Sequence, residues 1–107
     1  MKRKITGLIA VAALMVVGSA WTMDMPPLAQ KNKCTACHAI DRKIVGPAWM
    51  DVAKKYKGDK KAEAALIAKV TKGGSGVWGV VAMPPQAAAP QADVKELVKF
   101  ILGLAKK

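Results

Sequence analysis

Cys34-Thr35-Ala36-Cys37-His38 holds both cysteines and the single histidine of a 107-residue chain. Chance would place three such scarce residues in this spacing on the order of two times in ten thousand. The spacing is that of a segment to which a c-type haem attaches. Two cysteines three apart share one side of a helical turn, so both sulfurs can reach the vinyl edges of one porphyrin. His38, four past Cys34, projects from the same face and can place its imidazole under the iron. One short segment thus fixes the ring by three bonds.

Other uses of Cys-x-x-Cys fit less well. A structural zinc needs four protein ligands, and the chain offers three Cys and His side chains in all. A redox dithiol of the thioredoxin kind needs a βαβ context that the sequence lacks. A disulfide between residues three apart closes a tiny loop and adds little stability.

Met1-Lys2-Arg3-Lys4 is followed by a nearly continuous apolar run, Ile5 to Val17, and then by Gly18-Ser19-Ala20. This is a positive n-region, an apolar h-region and a small-residue cleavage site, which predicts a signal peptide over residues 1–20, cut near Ala20. An uncleaved membrane anchor is the competing reading, weakened by Gly18, Ser19 and Thr22. Either way the remainder, residues 21–107, is exported, and a periplasmic location is expected. A domain this small has a thin core of its own. The haem is expected to complete that core, and the chain without it to be largely unfolded.

The mature chain reads as all-α, about four helices wrapped around one covalently attached haem. Pro26-Pro27 opens a first helix, Leu28 to Cys34, which delivers the attachment residues. Asp41 to Val45 is a loop. Gly46-Pro47 begins a second helix with Trp49, Val52, Ala53 and Tyr56 on one face, ended by Gly58. Asp59 is the expected N-cap of a third, Lys60 to Lys72, which buries Leu66, Ile67 and Val70 and stops at Gly73. Gly73 to Ala89 is an irregular loop whose Trp78, Val80, Val81 and Met83 are too apolar to be left uncovered. A last helix, about Pro90 to Ala105, buries Val94, Leu97, Val98, Ile101, Leu102 and Leu104.

A haem has a second face. Methionine is the common partner of histidine in electron-transfer haem proteins. Met23 and Met25 lie near the processed terminus and are expected to fray. Met50 borders the apolar stripe of a helix and reads as packing. Met83 stands in the apolar loop, far enough along the chain to reach the opposite face, and Pro84-Pro85 stiffen the backbone just after it. Spacing alone favours Met83 as a metal ligand beside His38, with ordinary loop packing as the other reading.

These pieces together, Cys34-Thr35-Ala36-Cys37-His38-Ala39-Ile40, Val45-Gly46-Pro47-Ala48 and Gly76-Val77-Trp78-Gly79 leading to Met83-Pro84-Pro85, resemble the small class I bacterial cytochromes c of the c-551/c-552 type. The resemblance covers nearly all of residues 25–107. It implies that His38 and Met83 are the axial ligands of one haem c held through Cys34 and Cys37. It also implies that the Pro47 carbonyl accepts the other imidazole N–H of His38, and that the Trp78 indole N–H reaches a haem propionate. Lys69 matches a basic position that can lie near a propionate, but a solvated lysine is the favoured reading. Two positions depart from the pattern: Gln86 stands where the family often has Asn, and Val80-Val81-Ala82 replaces a segment that often carries Pro before the methionine.

The whole chain carries a formal charge of +11, which becomes +8 without Lys2, Arg3 and Lys4. Complementary charge speeds encounter without tight binding. The expected partners are therefore redox proteins with acidic docking surfaces, with Lys31, Lys33 and Lys43 as candidate contacts. Export argues against nucleic acid. No stable membrane insertion is expected after cleavage, and a monomer is expected. The leading reading is a one-electron carrier rather than an enzyme, with no catalytic residues. The alternative is a haem enzyme or gas sensor with a displaceable methionine. No phosphate-binding glycine loop is present: Gly73-Gly74-Ser75-Gly76 lacks the strand and helix such a loop needs.

Overall fold

The computed structural model describes residues 24–106. The expected signal peptide and Met23 lie outside the described residues. Four α-helices come in order: α1, Pro27–Lys31; α2, Trp49–Lys55; α3, Ala62–Lys72; and α4, Gln91–Gly103. Short 3₁₀ turns occupy Cys34–Ala36 and Leu104–Lys106. Among the described residues there is no strand, only isolated bridges pairing His38 with Lys43 and Gly74 with Met83. The all-α reading of the sequence holds.

α3 ends at Lys72 with Gly73 as its stop, as expected, while other element ends differ from the periodicity reading for local reasons. α1 does not run on into Cys34: it stops at Lys31, where the Asn32 N–H bonds back to Leu28 O at 3.0 Å. Lys33 then takes a left-handed conformation, φ 60°, the one non-glycine positive φ among the described residues. That reversal restarts the chain as a separate turn carrying the attachment residues. α2 begins two residues later than Pro47. No side chain caps it. Its first amides are satisfied instead by the attachment segment, Trp49 N–H donating to Ala39 O at 3.0 Å and Met50 N–H to Ile40 O at 2.9 Å. Asp59 does not sit at the N-cap of α3, a place taken by Lys61. It acts one step earlier, its Oδ1 accepting the Lys61 N–H at 2.8 Å in the turn that leads into the helix.

α4 is the centre of the core. Its Val94, Leu97, Val98 and Ile101 recur at helical spacing and are buried. Against them pack Ala29 of α1, Trp49, Val52 and Ala53 of α2, and Leu66 of α3. Ile67, Val70 and Leu102 are only partly buried against this cluster. Met50 packs on it as the sequence suggests. Met25, expected to fray, packs on it too, and its carbonyl accepts the Gln30 Nε2–H at 3.3 Å. The loop after α3 behaves differently. Val77, Trp78, Val80 and Val81 all stay exposed, Val80 to 96%. Protein side chains do not cover these residues; instead the loop forms one wall of an open cleft.

Candidate haem-binding cleft

The cleft lies between the attachment turn, α3, α4 and the loop Gly74–Pro84. Its space, open solvent included, is about 1270 Å³. The floor is apolar, built from Val52, Leu66, Val70, Leu97, Val98 and Ile101. The only charged residues on its lining are Lys33 and Lys69. Cys34, Cys37, His38, Pro47, Trp78 and Met83, the six residues singled out from the sequence, all line this one cleft.

The attachment turn is held together by backbone bonds. His38 N–H donates to Cys34 O at 2.9 Å, so the turn closes as one helical step and keeps the three side chains in helical register. The chain then folds back, with Val45 and Gly46 N–H groups donating to Cys37 O at 3.2 and 2.8 Å. This return places Pro47 against the imidazole. His38 Nδ1 lies 2.8 Å from Pro47 O. A carbonyl can only accept, so Nδ1 carries the hydrogen and Nε2 keeps its lone pair free for a metal. The ring is fixed further by Trp49, whose centroid lies 6.1 Å away. It also lies against Gly46, where a Cβ would come 2.5 Å from His38 Cε1.

Cys34 and Cys37 are both unpaired and half-buried. Burial pushes the Cys34 thiol above its ordinary value, a backbone hydrogen bond opposes the shift, and the neighbouring Cys37 adds to it. Both sulfurs line the apolar cleft, and at Cys34 burial favours the neutral thiol. Among the described residues, no three His, Cys, Asp or Glu side chains gather as a metal-ion site.

Met83 is half-buried on the opposite stretch of chain. Its backbone pairs with Gly74 in both directions, Met83 N–H to Gly74 O at 2.8 Å and Gly74 N–H to Met83 O at 3.0 Å. Gln86 does not direct its amide at the methionine. Its Nε2–H donates to Pro84 O at 3.0 Å, and its backbone N–H to Val70 O at 2.9 Å. Trp78 stands at the rim with the Lys55 ammonium 5.9 Å from its ring centroid. Lys69 is half-buried, its chain lying along Gly74, where a Cβ would meet its Nζ at 2.7 Å. The close approach of Gly46 to His38, that of Gly73 to the Met83 backbone and the His38–Trp49 contact escape a sequence reading. Each arises where the chain folds back on itself, and no spacing rule signals it.

Two thiols, an imidazole with a free Nε2 and a thioether thus share one apolar cleft with two lysines on its lining. That donor set suits a flat apolar macrocycle with a central metal and an acidic edge. Comparison with known proteins agrees. The family model described as Cytochrome c matches residues 27–105. Cytochrome c-551 of Allochromatium vinosum is 58% identical over 77 residues, covering 72% of this chain and 82% of that protein. Cytochrome c-552 of Nitrosomonas europaea is 43% identical over 104 residues, covering 97% and 99% of the two. The crystal structure of wild-type Nitrosomonas europaea cytochrome c552 superposes with a TM-score of 0.70 at 47% identity, covering 72% of this chain and 95% of that one.

Proposed function

The chain belongs to the cytochrome c family, as a small class I member, and on that premise we propose that it is a periplasmic one-electron carrier whose haem iron is held by His38 and Met83. Electron transport and a haem c attached through Cys34 and Cys37 come with the family. The haem supplies Fe(III)/Fe(II) exchange through its edge.

The observation that carries the ligand assignment is the 2.8 Å contact of His38 Nδ1 with Pro47 O. It fixes tautomer and ring plane together and raises the basicity of Nε2 toward a metal. Met83 lines the same cleft on another stretch of chain, with its backbone pinned to Gly74. With imidazole and thioether both committed, no position remains for a substrate. With the haem bound, the apolar floor would keep water from the metal, so that a change of charge there would require little solvent rearrangement. Trp78 at the rim and Lys69 along the wall supply an N–H and a cation suited to propionates.

Residues 1–20 are proposed to be a signal peptide cut near Ala20, which delivers residues 21–107 to the periplasm. The partners are proposed to be redox proteins with acidic surfaces. Lys33 opens onto the cleft and Lys43 is exposed. Lys31 is engaged with Asp93 at 3.5 Å and is a weaker candidate.

The optical spectrum of the purified oxidised protein tests the ligand assignment. A low-spin haem with the weak methionine-sulfur-to-ferric-iron band is expected. Met83→Ala should abolish the band and let carbon monoxide bind the reduced protein at neutral pH, while Met50→Ala should change neither. Survival of the band in Met83→Ala removes the assignment.

A further inference from the structure

We infer that Gly73 is a positioning residue for Met83: the end of α3 acts as a fixed seat on which the methionine backbone rests, and only glycine at 73 allows that seat. The inference rests on the reading of Met83 as an iron ligand.

Gly73 closes α3 with φ 72° and ψ −169°. That combination is essentially confined to glycine. Space makes a second, independent demand. A Cβ on Gly73 would collide with Met83 O, and would stand 2.8 Å from Pro85 N and 3.1 Å from Pro84 C. All three are backbone atoms, and two belong to the stiff Pro84-Pro85 pair, so no flexible side chain can move aside. Four hydrogen bonds converge on the same place. Gly73 N–H donates to Lys69 O at 2.7 Å, which ties the seat to the helix. The reciprocal Gly74–Met83 pair and the bond from Gln86 N–H to Val70 O at 2.9 Å then tie both sides of Met83 to the last turn of α3. The segment between, Val77 to Val81, is exposed, and its backbone bond from Gly76 N–H to Gly79 O at 2.8 Å closes a local turn rather than tying it to α3. The methionine is therefore set from the α3 end and not by the long loop that leads to it. A methyl group at 73 has to push the Met83 carbonyl off the seat, and the sulfur moves with it.

Gly58 provides the control. It too has a positive φ, 79°, but a Cβ there meets nothing within 4 Å. Gly58→Ala reports the conformational cost of alanine at such a site, with no contact to Met83. The haem-loaded ferric protein is titrated with imidazole, a competitor for the methionine position. A ligand held in place less of the time raises the competitor's apparent affinity in proportion. Gly73→Ala is expected to raise it by about tenfold or more and to weaken the methionine-to-iron band, with Gly58→Ala staying within about twofold of the parent. Equal behaviour of the two variants overturns the inference. Met83→Ala in parallel keeps the two readings apart: if it retains the band, the ligand assignment has failed rather than the seat. Should Gly73→Ala not accumulate, amide hydrogen exchange in the unaltered haem protein decides. The Gly74 and Met83 amides are expected to be protected at least about tenfold more than those of Val80 and Val81. Equal exchange at all four overturns the seat.

Discussion

At Gly46 the backbone leaves room for an imidazole. A Cβ there would stand 2.5 Å from Cε1, 3.0 Å from Nδ1 and 3.1 Å from Nε2 of His38. A methyl group must displace the ring, and the ring cannot move without stretching its 2.8 Å bond to Pro47 O. Gly46→Ala is therefore expected to cost about 1–3 kcal/mol in denaturant unfolding of the haem protein, the usual range for overpacking. It is also expected to raise the reduction potential, because an imidazole that has lost its acceptor donates less to the ferric iron. Voltammetry reads that sign, and an unchanged or lower potential contradicts the account. Residues around this ring differ in how legible they are in the sequence. The cysteines and His38 announce their chemistry by spacing alone, because a single turn determines their geometry. The need for glycine at 46 depends on how a loop returns to its own start, which no local pattern encodes.

At the scale of elements, α1 is short and has no side-chain cap. Its end is tied down by Asn32, whose Nδ2 donates to Leu28 O at 2.9 Å and to Asp93 Oδ2 at 3.3 Å. Asn32 thus joins the end of α1 to the first turn of α4, one residue before the left-handed Lys33 that starts the attachment turn. Lys31 also reaches Asp93, but at 3.5 Å with its side chain 66% exposed. Solvent screens that pair to between nothing and about 1 kcal/mol. Asn32 makes two half-buried hydrogen bonds, each worth about 1 kcal/mol. Asn32→Ala is accordingly expected to lower unfolding stability by about 1–2 kcal/mol and Lys31→Ala by less than about 0.5 kcal/mol; the reverse order in urea melts contradicts this assignment. Helical periodicity made α2, α3 and α4 readable because each buries one face on a common core. The stop of α3 at Gly73 was readable too, but the start of α2 was not, because its first amides find their acceptors at Ala39 and Ile40, residues outside the helix.

For the whole molecule, the question is what the four helices would do without the group they surround. Ala29 and Val98 are fully buried, and the shared core is a single cluster centred on α4. The other side of that cluster is the cleft, where Leu66, Val70, Leu97, Val98 and Ile101 reappear as lining. The same side chains therefore serve as core on one side and as cleft floor on the other. Without a group in the cleft, the apolar wall that faces the floor, with Val77, Trp78 and Val81 exposed, meets water, at about 25 cal/mol for each Å² left uncovered. A small domain has a net stability of only about 5–15 kcal/mol, so losing a few hundred Å² of such burial removes most of it. The loop residues Val77, Trp78, Val80 and Val81 are affected most, since they are exposed and lie outside the core cluster. The double variant Cys34→Ala/Cys37→Ala, which cannot attach haem, is expected to show weak helical circular dichroism and a broad, non-cooperative thermal transition. The attached protein should instead unfold in one sharp step. A sharp transition in the double variant at a similar temperature would mean that the helices hold one another without the haem, and that the cleft floor is a binding surface only.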